Sequence, residues 1–155
     1  IGGSARQWSI VPSGVFLSKE DLPLDKFFIK LKADQSMCIA ASDLKRRSPL
    51  VLEPCDASNN MQLWKYVEGG MIKIASSETE CIVKGAVSNG DPSLMIGTPC
   101  RRLSKNKSFM YDVVTLKIVQ VRNNKRAFTV DGDDVVIGFN HPTDNAVQQF
   151  VLEAP

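Results

Sequence analysis

The sequence predicts an all-β fold: a closed β structure with pseudo-threefold symmetry. Three observations carry that expectation. The chain repeats itself three times, apolar and polar residues alternate with period two inside the copies, and one aromatic closes each copy. With 155 residues, 43% hydrophobic and 23% charged, the chain has the length for one domain and the balance of a folded globular protein. No apolar run approaches the ~18 residues that span a bilayer, so no membrane span is expected.

The repeat is plainest where Phe28 to Ile39, FIKLKADQSMCI, is laid on Met71 to Ile82, MIKIASSETECI, without a gap. Ile29/Ile72, Lys30/Lys73, Cys38/Cys81 and Ile39/Ile82 are identical. A third copy starts at Thr115 with TLKIVQV and, after two extra residues, has Ala127-Phe128 where the others have Cys-Ile. The second halves agree as well: Leu50 to Cys55, LVLEPC, matches Met95 to Cys100, MIGTPC, and Val135 to Asn140 answers without the cysteine. At one fixed distance past each second cysteine stands an aromatic, Trp64 and then Phe109, and Gln148-Gln149-Phe150 closes the third copy. The copies fill about residues 26–68, 69–112 and 113–155, a period of roughly 40–45 residues.

Within each copy the reading is of short strands broken by turns. Ile29-Lys30-Leu31-Lys32 and Ile72-Lys73-Ile74 alternate as half-buried strands do. Asn89-Gly90-Asp91-Pro92, Asp131-Gly132-Asp133 and Asn140-His141-Pro142 are turn clusters. Helical repeats would need a 3.6-residue period, which is missing, and a propeller needs at least about four blades. Residues 1–25 lie outside the copies. Arg6 to Pro12, RQWSIVP, resembles the closing strand Gln148 to Pro155, so these residues read as an N-terminal arm or strand packing Trp8 on the domain, or as the tail of a preceding repeat domain. Phe16 to Phe27 reads as a linker with a turn at Leu22-Pro23-Leu24. Ile1-Gly2-Gly3-Ser4 is no signal peptide, and the chain reads as a processed or excised piece of something longer.

The four cysteines are Cys38, Cys55, Cys81 and Cys100, with no C-x-x-C and no histidine at metal-ligand spacing, so no metal is expected. Spacing alone leaves three pairings open. The repeat chooses Cys38–Cys55 and Cys81–Cys100, because each pair then holds the same place in its copy. Each loop closed in this way stabilises a fold by about 3 kcal/mol in the chain-entropy model. Disulfides place the domain in an extracellular, secreted or luminal setting; the alternative is four reduced core thiols in the cytosol. Asn106-Lys107-Ser108 fits a glycosylation acceptor and agrees with secretion.

Three repeats, a cysteine pair inside a repeat and a closing Q-x-W together resemble the β-trefoil of the ricin B-chain type. The motif stands here as Gln62-Leu63-Trp64, Lys107-Ser108-Phe109 and Gln148-Gln149-Phe150, and Leu63 to Val67, LWKYV, is similar to the cysteine-rich trefoil of mannose-receptor-type proteins. The resemblance covers about residues 26–155 and implies a β-trefoil with intra-repeat disulfides that recognises carbohydrate and is not an enzyme. It also implies where sugar sites would sit: a carboxylate shortly after the first cysteine, a ring before the second, and an amide near the Q-x-W. These positions hold Ala40 and Glu53 in the first repeat and Val83 and Thr98 in the second, so the usual galactose-type site is expected to be absent there. The third repeat keeps more: Asp131 and Asp133 near the acidic position, Phe139 as the ring, and Asn140, His141 and Gln148 as hydrogen-bonding groups. Thr129 occupies the strict carboxylate position, however, and Asp131-Gly132-Asp133 also reads as a plain hairpin turn. Trp64, Phe109 and Phe150 are expected to form a shared core layer.

Basic residues cluster at Lys45-Arg46-Arg47, at Arg101-Arg102 with Lys105 and Lys107, and at Arg122 with Lys125-Arg126. Brought together they would suit sulfated glycans or acidic protein surfaces; kept apart they are solvated loops. A net charge of +2 without interleaved aromatics argues against nucleic acid. Catalysis has little to work with. His141 is the single histidine, the cysteines are assigned to bridges, no G-x-S-x-G or phosphate-binding glycine loop occurs, and Asp133-Asp134 are neighbours that point to opposite faces of a strand. No cofactor is expected. The sequence therefore points to an extracellular recognition module, part of a larger protein or complex. Its partner is a glycan or, alternatively, a protein at a cell surface. A trefoil protease inhibitor is a third possibility.

Overall fold

The computed structural model describes residues 10–11, 14–15, 25–67, 70–77, 80–85, 92–98, 108–121, 123–143 and 145–155. Strands β1 (Ile10–Val11) and β2 (Gly14–Val15) pair in a short hairpin. The expectations for Trp8, for the Leu22-Pro23-Leu24 turn and for Asn106 fall outside the described residues.

The remaining strands repeat one four-strand pattern three times. The first repeat holds β3 (Phe28–Leu31), β4 (Asp34–Ala41), β5 (Leu50–Pro54) and β6 (Trp64–Val67). The second holds β7 (Met71–Ile74), β8 (Cys81–Lys84), β9 (Leu94–Thr98) and β10 (Phe109–Asp112). The third holds β11 (Lys117–Gln120), β12 (Asn123–Asp131), β13 (Asp134–Phe139) and β14 (Phe150–Glu153). This is the all-β fold with three pseudo-threefold repeats that the sequence predicts, a β-trefoil.

First and fourth strands make a closed barrel. β14 pairs with β3, β6 with β7 and β10 with β11, all antiparallel. Inside each repeat the closing aromatic donates its amide to the residue just before the first strand: Trp64 to Phe27 O at 2.9 Å, Phe109 to Gly70 O at 2.7 Å, Phe150 to Leu116 O at 2.7 Å. Phe27, Gly70 and Leu116 are thus equivalent, and so are their successors Phe28, Met71 and Lys117. This corrects the sequence alignment of the third copy, which set Lys117 beside Lys30 and Lys73. Slid by two residues, the third copy no longer needs extra residues before Ala127.

Second and third strands form three hairpins that cap the barrel and lean on one another in a ring. Leu52 N donates to Asp133 O (2.8 Å), Ile96 N to Ser48 O (3.0 Å) and Ile137 N to Pro92 O (2.8 Å). Each hairpin so satisfies a backbone group of the next that burial would otherwise leave unpaired. Trp64, Phe109 and Phe150 are fully buried in one core with Ile29, Ile74 and Phe128, and Phe109 meets Phe128 edge-to-face with centroids 5.1 Å apart. Strand β6 follows its period of two, with Trp64 and Tyr66 buried and Lys65 and Val67 half-buried. Tyr66 donates its hydroxyl to Phe109 O at 2.7 Å and Tyr111 to Phe150 O at 2.8 Å, which ties successive repeats. Burial holds the Tyr66 hydroxyl well above its ordinary value, and burial with the nearby Asp112 carboxylate pushes Tyr111 up to about 12. Both remain donors at neutral pH.

Cys38 and Cys55 are bridged. Cys81 is disulfide-bonded as well, and its expected partner Cys100 lies outside the described residues. Among the described residues no helix is long and apolar enough to cross a membrane.

Gly70 shows how tightly the barrel closes. Its φ is +87°, and a Cβ there would stand 2.9 Å from Phe109 O, a strand carbonyl that cannot yield. Gly70→Ala is expected to destabilise the fold by about 2–3 kcal/mol, from left-handed strain and the clash together. A shift of less than a few degrees in thermal midpoint would contradict this closure. Leu116, its counterpart, takes the same left-handed turn at φ 62° despite its side chain.

Candidate functional site

Strand register decides what became of the sugar-site positions. Cys38 pairs with Glu53 in the first repeat, Cys81 with Thr98 in the second and Ala127 with Gly138 in the third. The position before the second cysteine is therefore Gly138 in the third repeat, and Phe139 projects from the opposite face of β13. The first-cysteine side carries Ala40, Val83 and Thr129. No repeat carries a carboxylate at the position on the first-cysteine side or a ring at the position before the second cysteine.

The third-repeat residues singled out from sequence separate into two groups. Asp131 and Asp133 flank Gly132 at the tip of the β12–β13 hairpin, where Asp131 pairs with Asp134. Phe139 leaves the other end of the same strand, about 17 Å away at the rise of an antiparallel strand. Asp131 and Asp133 thus act as turn residues, and they do not join Phe139. Gln148 is a second correction. It is 1% exposed, and its amide is engaged in the frame: Nε2 donates to Phe139 O at 2.5 Å and to Thr129 Oγ1 at 3.0 Å, while Oε1 accepts from His141 N at 3.2 Å. Gln62 does the same in the first repeat, donating to Pro54 O at 2.8 Å and accepting from Asp56 N at 2.7 Å. The glutamine of Q-x-W is a strut for the segment that follows the third strand.

What remains together is a corner at the end of β13. Phe139 is 57% exposed and meets the exposed His141 ring edge-to-face, with centroids 6.0 Å apart. Arg126 pairs with Phe139 across the ladder, so their side chains leave the same face with β-carbons about 5 Å apart. Lys125, exposed beside it, accepts the amide of Asn140 on its carbonyl at 2.6 Å. A bare aromatic face, a second ring at its edge and the Arg126 cation make a surface that can cover the C–H face of a sugar and attract an acidic substituent.

One buried residue supports this corner that sequence reasoning missed. Lys117 donates its ammonium to Asn140 Oδ1 at 2.9 Å, His141 O at 2.5 Å and Thr143 O at 3.0 Å. The signal for it is a lysine in a column that holds Phe28 and Met71 in the other repeats.

Lys45, Arg46 and Arg47 lie elsewhere, in the loop of the β4–β5 hairpin, with Arg47 N donating to Ile96 O at 2.7 Å. They share the hairpin end with Asp131 and Asp133 and form no single patch with Lys125 and Arg126. Arg101, Arg102 and Arg122 lie outside the described residues. Among the described residues no cluster of histidine, cysteine and carboxylates could hold a metal ion.

The family model for the ricin-type beta-trefoil lectin domain matches residues 27–150. Comparison with curated proteins finds no sequence match. Several solved structures share the fold. The solution structure of the mdaA-1 domain aligns with a TM-score of 0.74 at 15% identity, over 86% of this chain and 92% of that one. The β-trefoil lectin of the Vibrio vulnificus hemolysin/cytolysin, solved with N-acetyl-D-lactosamine bound, aligns at 0.67 and 10% identity, over 86% and 98% of the two chains. An earthworm lectin C-terminal domain mutant in complex with 6'-sialyllactose aligns at 0.63 and 15% identity, over 84% and 98%.

Proposed function

Because the chain belongs to the ricin-type beta-trefoil lectin domain family, we propose that it is a non-enzymatic carbohydrate-binding module that takes an acidic or sulfated glycan at the Phe139 corner. The observation that carries this reading is the exposed Phe139–His141 ring pair with Arg126 across the ladder. The rings supply stacking, Arg126 supplies charge, and neither depends on the three family sugar positions. The lectin structures with N-acetyl-D-lactosamine, a neutral sugar, and 6'-sialyllactose, an acidic one, support carbohydrate as the ligand class. The Cys38–Cys55 bridge supports an oxidising, extracellular or luminal setting.

The absence of a carboxylate at Ala40, Val83 and Thr129 and of a ring at Glu53, Thr98 and Gly138 favours a second reading, a trefoil frame kept for contacts with a protein partner. A glycan array with neutral and sulfated sugars at two salt concentrations separates the two. Binding to acidic sugars that weakens with salt supports the corner, because exposed charge pairs are screened. A blank array leaves the protein-contact reading. Phe139→Ala is expected to weaken glycan binding about tenfold, the equivalent of one lost stacking contact, while stability stays within about 0.5 kcal/mol for so exposed a side chain. Equal loss of both would make Phe139 a packing residue instead.

A further inference from the structure

Lys117 is only 3% exposed. A charge taken out of water is costly unless acceptors surround it, and hydrogen bonds to a charged donor are the strong ones. Three acceptors come from one short segment, Asn140 to Thr143.

The equivalent place in the first repeat explains what this lysine does. There Phe28 packs on Cys38 and Leu63, with Cys55 against the same cluster, and the Cys38–Cys55 bridge ties the segment after β5 to β4. Register carries the comparison across: Met37 pairs with Pro54, and Arg126 pairs with Phe139. One residue further along each strand stand Cys38 and Cys55 in the first repeat, and Ala127 and Asn140 in the third. The third repeat has lost both cysteines, and its Asn140 is held by the residue that replaces Phe28.

We infer that Lys117 is a positioning residue of the Phe139 corner: beside the Gln148 strut, its ammonium takes the place of the missing cystine, holding Asn140–Thr143 on the frame and so fixing the Phe139–His141 ring pair. This deepens the glycan reading and rests on it for what the corner binds. The pin itself is read without any ligand. Its consequence is that the corner stays assembled without a disulfide of its own, whatever happens to Cys38–Cys55.

The test is hydrogen exchange and nuclear Overhauser spectroscopy on the 155-residue chain. Lys117→Met keeps an unbranched side chain and removes the donors. It is expected to speed exchange at the His141 amide about a hundredfold, as local opening does. The Phe139–His141 ring contact should be lost, and retention of a sulfated glycan should weaken about tenfold. Strand amides of the first repeat should stay protected. Adding Ala127→Cys and Asn140→Cys to that variant installs a bridge where Cys38 and Cys55 have theirs, and slow exchange at His141 should return. Unchanged exchange in Lys117→Met, or no recovery with the bridge, overturns the pin. Should Lys117→Met fail to fold, a bridged variant that folds supports it and one that does not overturns it. Release of the segment with glycan retention unchanged overturns the positioning role. Absence of glycan binding by the unaltered chain ends the carbohydrate reading, and the exchange rates still decide the pin.

Discussion

Trp64→Ala is expected to lower the free energy of unfolding by about 3–5 kcal/mol, the range for deleting a large buried aromatic. Trp64 is the largest of the fully buried side chains among the described residues. It does more than fill space. Its indole Nε1 donates to Ile39 O at 3.0 Å, which ties β6 to a hairpin strand, and its backbone exchanges hydrogen bonds with Phe27 at 2.9 and 3.0 Å. Truncation leaves a cavity in the core and an unpartnered buried carbonyl, two costs that add. Trp64→Phe separates them. Phe109 and Phe150 fill the same position in the other repeats, so the ring is tolerated and the loss shrinks to about 1–3 kcal/mol, mainly the orphaned Ile39 carbonyl. Denaturant unfolding of the two variants checks this, and a loss below about 1 kcal/mol for Trp64→Ala would remove Trp64 from the core layer.

Replacing Cys38 and Cys55 together by alanine is expected to cost about 3 kcal/mol, the chain-entropy value for a loop of this size. The bridge closes a sequence separation of 17 residues. Cys38 is fully buried among Phe28 and Leu63, so the double substitution removes packing as well as the cross-link. The pair isolates one bridge, because Cys81 keeps its own. Equilibrium unfolding without reductant measures the effect. A loss near zero would show that hydrogen bonds hold this segment without the bridge, Cys55 N to Ser36 O and Gln62 to Pro54 and Asp56.

The frame was largely legible in the sequence because its determinants are local and repeated. Short alternating strands, a cysteine pair in each of the first two repeats and one aromatic per repeat each survive in the chain as residue types. The third-repeat site was legible only in part. With Ala127 and Asn140 in place of cysteines, nothing in the sequence anchors the phase of β13, and one residue decides whether Phe139 or Gly138 faces the family's sugar position. Asp131 and Asp133 lie close to Phe139 in sequence, yet a hairpin puts them at opposite ends of a strand. Lys117 was hidden for a related reason. A lysine between Leu116 and Ile118 reads as the outward residue of an alternating strand, and only the barrel's hydrogen bonds move it into the column of Phe28 and Met71.

The ring in which each capping hairpin leans on the next has a consequence for how such a chain can change over time. Leu52, Ile96 and Ile137 each draw an acceptor from a neighbouring hairpin, so deleting any one repeat would strand a donor on one side and an acceptor on the other. The corners beyond the third strands carry no such obligation. The residues just past the third strands of the first and third repeats, Cys55 and Asn140, bond instead within their own repeat, to Ser36 O and Lys125 O. The ring therefore needs all three repeats as a set, while the corner of one repeat can differ from those of the other two without breaking it.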